Sequence, residues 1–245
     1  MSDQPTTALQ QKINANWNQR AAQSKGQAHH AMRDEAERQL WLDLVRPLLP
    51  PPPSDAIDVG TGTGFLAWVM ADLGHRVTGF DLSEGMLSDG RAIAAERAKA
   101  GTALTPPTFR VGDAMDPPLP LASLDVVANR NVIWTLLDPA RAFRNWWALL
   151  RPGGRVLAVH GVRLDEQTDP ETGAPKFDPN YTEEVVAHLL PIRRKPTLDP
   201  VLPLLRDAGF EDINVVRWEN LERFMLERDQ RQMHWLALTA IKPPR

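Results

Sequence analysis

The chain has 245 residues and no cysteine, which excludes disulfides, thiolate zinc sites and a cysteine nucleophile. Its formal net charge of −3 disfavours a broad basic face for nucleic acid, and no apolar stretch reaches the roughly 18 residues of a membrane span. Length and composition therefore predict a cytoplasmic protein with one α/β domain and appended segments, and no nucleic-acid or membrane partner.

Two helices are predicted before the first strand. A polar helix is expected over residues 6–24, and an amphipathic helix over residues 32–45 ends because an Arg-Pro pair follows it. The prolines of residues 50–53 then form a short extended connector. We expect residues 1–50 to form a helical cap and residues 54–245 to form the main domain.

Strands and helices alternate in the middle of the chain, which predicts right-handed crossovers and a mostly parallel sheet. The predicted strands are Ala56–Val59, Arg76–Phe80, Thr108–Val111, Leu124–Ala128 and Arg155–His160. The predicted helices are Phe65–Leu73, Ser83–Ala100 and Asp138–Leu150.

The end of the chain departs from this alternation. After a helix at Pro200–Ala208, two strands are predicted at Glu211–Trp218 and Met233–Ile241 with no room for a full crossover helix, which indicates an antiparallel pair at the sheet edge. Residues 161–197 form a long insert with its own short helix at 182–190, and we expect this insert to be a substrate lid.

A glycine-rich turn follows the first predicted strand. Asp58 ends a short apolar run, and Gly60, Gly62 and Gly64 come next, directly before a helical pattern. Such a turn lets main chain approach a ligand closely and presents free N–H groups at the helix N-terminus. The dinucleotide fingerprint is not met, because its third glycine would fall on Phe65.

The acidic-x-G-x-G-x-G pattern resembles the first motif of class I S-adenosylmethionine-dependent methyltransferases. The resemblance extends over about residues 55–160 and includes Trp134-Thr135-Leu136 and the turn Leu150-Arg151-Pro152-Gly153-Gly154. It implies a Rossmann-like doubly wound sheet of seven strands, with S-adenosyl-L-methionine as cofactor and S-adenosyl-L-homocysteine as product. It also implies that the loop faces the methionine part of the cofactor, through Asp58, Gly60, Thr61, Gly62, Thr63 and Gly64.

The ends of the second and third strands supply the expected nucleoside contacts. Asp81 follows the second strand, where a carboxylate accepts both ribose hydroxyls; the alternative is a helix N-cap, which Ser83 fits better. Leu82 and Met86 would flank the adenine, although Met86 also fits a core position. By resemblance Gly112, Asp113 and Ala114 bind the adenine edge, and a solvated turn is the alternative for Asp113.

The end of the fourth strand is expected at the methionine end of the cofactor. Asn129 would bond that end, and Arg130 would pair with its carboxylate, unless Arg130 instead forms a structural Arg–Asp pair. Trp17 lies in a segment that resembles the helix folding over the cofactor in this family, with simple packing on the domain as the alternative.

Four residues are candidates for the substrate pocket, each with a structural alternative. They are Trp134, His160, Tyr181 and Asn131. Asn131 stands where the family often has His, and an amide cannot act as a general base. His188 in the insert is a further candidate. With neither cysteine nor a His-x-x-x-His helix pair, no metal is expected.

The sequence thus predicts a methyltransferase acting on a small molecule, as a monomer or homodimer. The many tryptophans favour an aromatic or heterocyclic metabolite, methylated on N or O, in secondary metabolism. Three alternatives stay open: a macromolecular acceptor, a nicotinamide-dependent oxidoreductase, and a module that only binds the cofactor.

Overall fold

The protein has a seven-stranded sheet with helices on both faces. The computed structural model describes residues 34–99, 105–163, 198–229 and 233–244, together with residues 11, 13–15 and 17–19. The strands are β1 (Asp55–Val59), β2 (Arg76–Asp81), β3 (Thr108–Val111), β4 (Leu124–Arg130), β5 (Leu150–Arg163), β6 (Glu211–Arg217) and β7 (Met233–Ile241). The helices are α1 (Glu35–Val45), α2 (Phe65–Asp72), α3 (Glu84–Lys99), α4 (Pro139–Leu149), α5 (Val201–Asp207) and α6 (Glu219–Asp229).

Local sequence explains where two of these helices begin. Asp34 caps α1, because its Oδ1 accepts a hydrogen bond from the Glu37 amide at 2.9 Å. Asp138 caps α4 in the same way through the Arg141 amide at 2.8 Å, and Pro139 occupies the first helical position, where its missing N–H costs nothing. Capping by short acidic side chains therefore sets both boundaries.

The strand order is β3-β2-β1-β4-β5-β7-β6. All neighbouring pairs are parallel except those of β7, which runs antiparallel to both β5 and β6. The predicted fold class, a mostly parallel seven-stranded sheet with an antiparallel C-terminal pair, is confirmed.

The prediction that no full helix fits between the last two strands was wrong. The 11-residue helix α6 connects β6 to β7 and buries Leu221 and Met225. Its first turn follows Trp218, itself buried in the core. The helix carries the chain back along the sheet, so that β7 inserts between β5 and β6.

The core has one apolar cluster on each face of the sheet. On the face of α1, α2 and α6, Trp41 is fully buried and its ring meets those of Phe65, Trp218 and Trp235 at centroid distances of 4.8, 5.6 and 5.6 Å. On the other face Trp146 is the largest buried side chain, under α4 and α5. Helix α1, which the sequence assigned to a cap, therefore contributes to the core of the sheet.

Several sequence predictions lie outside the described residues. Residues 164–197, most of the expected lid insert with its short helix, are among them. The assignment of residues 161–197 to a lid and of residues 1–50 to a cap stays a prediction. None of the helices in the described part of the chain combines the length and apolar composition needed to cross a membrane.

Candidate functional site

The glycine turn joins β1 to α2 with a backbone that only glycine adopts readily. Gly60, Gly62 and Gly64 have φ values of 63°, 58° and 91°. Space is restricted as well: a Cβ at Gly60 would overlap the methyl groups of Val132, and a Cβ at Gly64 would lie 2.5 Å from Phe109 Cζ. The turn is therefore held against neighbouring elements on two sides.

Three main-chain amides of this turn already have acceptors within the protein. Thr61 N donates to Phe80 O at 2.9 Å, Gly62 N to Asp81 Oδ2 at 2.8 Å, and Gly64 N to Thr61 O at 2.9 Å. The expectation of free amides in the loop was wrong for these three positions. The reason is that the loop folds back on the end of β2, whose carbonyl and carboxylate oxygens accept from Thr61 N and Gly62 N, while Gly64 N donates within the turn itself.

Asp58 holds the other side of the turn. Its Oδ2 accepts from Thr61 Oγ1 at 2.7 Å and from the Ala67 amide of α2 at 3.1 Å, so this strand residue caps the helix. The side chain is buried, and its Oδ1 has no hydrogen-bond partner among the described residues. Burial raises the pKa of the Asp58 carboxyl to about 7, although the Thr61 hydroxyl and the positive charge of Arg130 both lower it.

Asp81 connects the glycine turn to the start of α3. One carboxylate oxygen accepts from the Gly62 amide and the other from the Ser83 amide, each at 2.8 Å. Burial raises the pKa of Asp81, against the lowering effect of these amides. Ser83, and not Asp81, caps α3, because its Oγ accepts from the Met86 amide at 3.3 Å. Because a carboxylate has about four acceptor positions, Asp81 retains capacity for a ligand.

The predicted adenine contacts lie beside Asp81. Gly112 N donates to Asp81 O at 3.1 Å, which joins the ends of β2 and β3. Asp113 Oδ1 accepts from the Met115 amide at 2.9 Å, a local turn that leaves its second oxygen outside this bond. Ala114 O accepts from Trp146 Nε1 at 2.8 Å.

The two apolar residues that were expected to flank the adenine differ in exposure. Leu82 is half-buried, whereas Met86 is buried. A Cβ at Gly62 would lie 3.3 Å from Met86 Cε, so Met86 packs beneath the glycine turn. Their contacts with adenine stay a prediction, and Met86 also fills the core position that the sequence offered as its alternative.

Two side chains at the end of β4 point to opposite faces of the sheet. Asn129 is buried, and its Nδ2 has no hydrogen-bond partner in the described part of the chain. The Arg130 guanidinium lies 4.1 Å from the centroid of the Phe65 ring. Burial lowers the pKa of Arg130 to about 10, while the charges of Asp58 and Glu37 raise it. This setting favours the structural Arg–Asp alternative for Arg130.

Asn131 connects β4 to β5. It has a left-handed backbone with φ 60°, its amide donates to Val159 O at 2.9 Å, and its Oδ1 accepts from Gly161 N at 2.7 Å. The side chain thus fixes the strand ends, and its predicted catalytic role stays a prediction.

The remaining pocket candidates divide between described and undescribed residues. His160 lies near the end of β5; its Nδ1 is buried without a hydrogen-bond partner among the described residues, and burial lowers its pKa to about 4. Trp134 is half-buried in the single-turn helix Ile133–Thr135. Tyr181 and His188 lie outside the described residues.

One contact at this edge was not predicted. Asn18 Oδ1 accepts from Ser83 Oγ at 2.7 Å and from Gly85 N at 3.3 Å, which places the N-terminal helical residues against the start of α3. Trp17 is half-buried beside it. The only signal in the sequence was the position of Asn18 next to Trp17 in the segment expected to fold over the site.

Comparisons with known proteins agree with this arrangement. Residues 57–158 match a family model described as a methyltransferase domain. A probable S-adenosylmethionine-dependent methyltransferase of Mycolicibacterium smegmatis is 32% identical over 64% of this chain and 52% of its own length. Over residues 57–158 and in its strand order, the chain is therefore similar to S-adenosylmethionine-dependent methyltransferases.

A further curated protein and a solved structure are also similar to this chain. The ubiquinone/menaquinone biosynthesis C-methyltransferase UbiE of Roseobacter denitrificans is 29% identical over 71% of this chain and 73% of its own. The solved structure of Haemonchus contortus phosphoethanolamine N-methyltransferase 2, with phosphomonomethylethanolamine and S-adenosylhomocysteine, has a TM-score of 0.60 and 22% identity over 84% of this chain and 53% of that one. The chain spans about half the length of the Mycolicibacterium and Haemonchus proteins.

The Mycolicibacterium relative is named for its dependence on S-adenosylmethionine, and the residues present in this chain fit that cofactor. Asp81 has acceptor capacity left for ribose hydroxyls, and Asn129 Nδ2 is a buried donor without a partner among the described residues, as a carboxylate-bearing tail requires. Both residues lie at the ends of strands that flank β1, from which the glycine turn follows. In the described ranges no three His, Asp or Glu side chains form a metal-binding group, and the absence of a metal requirement stays a prediction.

Proposed function

We propose that this methyltransferase domain is an enzyme that transfers a methyl group from S-adenosyl-L-methionine to a small molecule. The observation that carries the proposal is the Asp81 carboxylate, fixed by two amides from different loops at the edge where β1, β2 and β4 end. The bound cofactor supplies a methyl group already activated by its sulfonium. The chain itself has to orient the reactants and exclude water, which can account for roughly 7–11 kcal/mol of the barrier.

In this proposal, a side chain at the end of each of three strands binds a different part of the cofactor. Asp81 accepts the ribose hydroxyls, Asp113 accepts from the adenine amino group, and Asn129 donates to the methionine end. Asp58 acts indirectly: it caps α2 and holds Thr61, and so keeps the glycine turn in shape. Arg130, half-buried near Asp58 and Glu37, provides positive charge behind that turn.

The net charge of the chain and the names of similar proteins both support a small molecule as the methyl acceptor. The net charge of −3 disfavours nucleic acid as the acceptor. UbiE is named for ubiquinone and menaquinone biosynthesis, and the Haemonchus structure contains phosphomonomethylethanolamine. We propose an aromatic or heterocyclic metabolite of secondary metabolism, methylated on N or O.

The chemistry of the pocket candidates favours a nitrogen acceptor. Asn131 cannot take a proton, and its side-chain oxygen is bonded to Gly161 N. His160 has a pKa of about 4, so its imidazole is a weak base. An amine that is neutral at the working pH needs no strong base before methyl transfer, whereas an alcohol does.

Calorimetric titration with S-adenosyl-L-homocysteine tests the cofactor site. We expect Asp81→Ala to raise the dissociation constant about 100-fold, because two charge-assisted hydrogen bonds are lost. Asp116→Ala is the matched control, since Asp116 is exposed and pairs with Arg141 on the surface. No binding by folded wild-type protein would refute the proposed function, and equal affinities of the two variants would refute the role of Asp81.

Transfer of labelled methyl groups into a cell extract tests the acceptor. We expect the label in the fraction that passes a small-pore filter, in a product one methyl heavier than its precursor. Label retained with protein or RNA would support the macromolecular alternative. Absence of any label, despite binding of S-adenosyl-L-homocysteine, would support the module that only binds the cofactor.

Oligomeric state and cellular location remain predictions from the sequence. Size-exclusion chromatography with light scattering separates a monomer from a homodimer, and fractionation of the source cells tests the cytoplasmic location. The nicotinamide-dependent alternative is disfavoured, because residues 57–158 match a methyltransferase domain and Phe65 stands in place of the third fingerprint glycine.

A further inference from the structure

We propose that Asn18 is a positioning residue that couples docking of the N-terminal helical segment to cofactor binding. The segment is defined here as residues 11, 13–15 and 17–19, which are helical. The inference rests on the proposed function, because it assigns Asn18 to the site that contains Asp81. Asn18 itself need not touch the cofactor; it acts through Ser83.

The contact joins the N-terminal segment to the first turn of α3. Asn18 Oδ1 accepts from Ser83 Oγ at 2.7 Å and from Gly85 N at 3.3 Å, across 65 and 67 positions of the sequence. Ser83 is buried, and its Oγ also accepts from Met86 N at 3.3 Å. The hydroxyl therefore acts as donor and acceptor at once, which fixes its rotamer.

Helix geometry explains why this acceptor matters. The first amides of α3 have no acceptor within the helix and must find one elsewhere. Ser83 accepts from Met86 N, whereas Gly85 N is left to the amide oxygen of Asn18. An oxygen at this end is also favoured by the helix dipole. Without Asn18, both the hydroxyl proton of Ser83 and the amide of Gly85 lose this acceptor.

The same serine leads directly to the proposed ribose carboxylate. Ser83 N donates to Asp81 Oδ1 at 2.8 Å, and the other oxygen of Asp81 accepts from Gly62 N at 2.8 Å. Asn18 is thus connected to Asp81 through a single buried residue. Docking of the segment favours the arrangement of Ser83 in which Asp81 faces its two amides.

Thermodynamic linkage makes the coupling reciprocal. If docking through Asn18 strengthens cofactor binding by some factor, then cofactor binding strengthens docking by the same factor. Cofactor binding at Asp81 should then stabilise the contact between Asn18 and Ser83.

Calorimetric titration of full-length variants with S-adenosyl-L-homocysteine tests the proposal. We expect Asn18→Ala to weaken binding about five- to tenfold, the effect of losing two hydrogen bonds of ordinary strength. Asn18→Asp should bind within about twofold of wild type, because a carboxylate oxygen can accept the same bonds at a helix N-terminus. The matched control is Gln19→Ala, an exposed neighbour in the same segment, which should bind as wild type does. Equal affinities of Asn18→Ala and Gln19→Ala would overturn the proposal.

Hydrogen exchange separates this inference from the proposed function. In ligand-free protein, the Gly85 amide should exchange severalfold faster in Asn18→Ala than in Gln19→Ala, at an unchanged melting temperature. Bound S-adenosyl-L-homocysteine should slow exchange at Gly85 more in wild type than in Asn18→Ala. Faster exchange without any change in affinity would show a structural contact with no coupling and would overturn the inference. Failure of wild type to bind the ligand would instead refute the proposed function itself.

Discussion

The charged and polar side chains differ in their pairing between the two edges of the sheet at which the parallel strands begin and end. We call the first the paired edge and the second the unpartnered edge. At the edge where β1, β2 and β5 begin, Arg151 bridges Asp55 and Asp125 at 3.0 and 2.8 Å, and Arg76 pairs with Asp55 at 2.8 Å. At the opposite edge, Asp58 Oδ1, Asn129 Nδ2 and His160 Nδ1 are buried on three neighbouring strands without hydrogen-bond partners among the described residues.

This difference supports the proposed site at the edge where the parallel strands end. Buried polar atoms are nearly always hydrogen-bonded in stable proteins, so several unpartnered ones on adjacent strands indicate a ligand site. Isolated atoms of this kind do not, because His75 Nδ1, just before β2, and Arg155 Nε, near the start of the β4–β5 pairing, are also buried without a partner in the described part of the chain, but not on adjacent strands. The paired edge contributes stability, and the unpartnered edge retains binding capacity.

Removing the Asp58 carboxylate should give the largest loss of stability. We expect Asp58→Ala to lower the free energy of unfolding by about 3 kcal/mol, because Thr61 Oγ and Ala67 N lose their acceptor and Arg130 loses a neighbouring carboxylate. Urea denaturation measures the change. Asp58→Asn, which keeps one acceptor oxygen, should lose less. A loss below about 1 kcal/mol in the alanine variant would contradict the structural role of Asp58.

Adding a methyl group at Gly60 should lower the free energy of unfolding slightly less than Asp58→Ala does. Gly60→Ala is expected to destabilise the protein by about 2 kcal/mol, since the backbone has φ 63° and the new Cβ overlaps Val132. The double variant Gly60→Ala/Val132→Ala removes the overlap but not the backbone strain. Gly60→Ala should therefore lower the free energy of unfolding less in the Val132→Ala background than in wild type. If Gly60→Ala has the same effect in both backgrounds, steric overlap is not the cause.

The unpartnered edge should also show opposing pH effects. Asp58 has a folded-state pKa of about 7, above its unfolded value, so its contribution to stability falls as pH rises from about 4 to 7. His160 has a folded-state pKa of about 4, below its unfolded value, so its contribution is lost as pH falls from about 6.5 to 4. These two effects nearly cancel, and the raised pKa of Asp81 acts in the direction of Asp58.

The Asp58→Asn variant separates these effects. Its unfolding free energy should rise by about 2 kcal/mol between pH 4.5 and 6.5, because the His160 effect then dominates, whereas the wild-type value should change much less. Urea denaturation across this pH range measures both. Replacing His160 by Asn should reverse the slope, so that stability falls with rising pH. A wild type and an Asp58→Asn variant with the same slope would show that Asp58 does not titrate in this window.

A substitution at the paired edge should have the smallest effect on the free energy of unfolding and no effect on cofactor binding. Arg151→Met should lower the unfolding free energy by about 1 kcal/mol, the range for partly exposed ion pairs, while Arg76 still neutralises Asp55. Its affinity for S-adenosyl-L-homocysteine should equal that of wild type. Weakened binding in this variant would show that the two edges are not independent.

Sequence patterns predicted the strands well because their apolar runs are local. The third and seventh strands agree with the predicted bounds, and β5 differs most, since it begins at Leu150 and ends at Arg163. Helix α6 was missed because charged residues surround Leu221 and Met225, so its helical pattern was weak. Leu221 and Met225 belong to the same buried cluster as Trp41, which is far away in sequence.

The sequence by itself determined the order of elements, the position of the glycine turn and the acidic residues that end β1 and β2. Only the tertiary structure decided which of these groups were already satisfied: the amides of Thr61, Gly62 and Gly64 have acceptors in the protein, and Asn129 Nδ2 has none among the described residues. It also decided that Asn18 reaches Ser83. The physical reason is that turns and strands follow from local chemistry, whereas hydrogen-bond partners distant in sequence meet only when the whole sheet has formed.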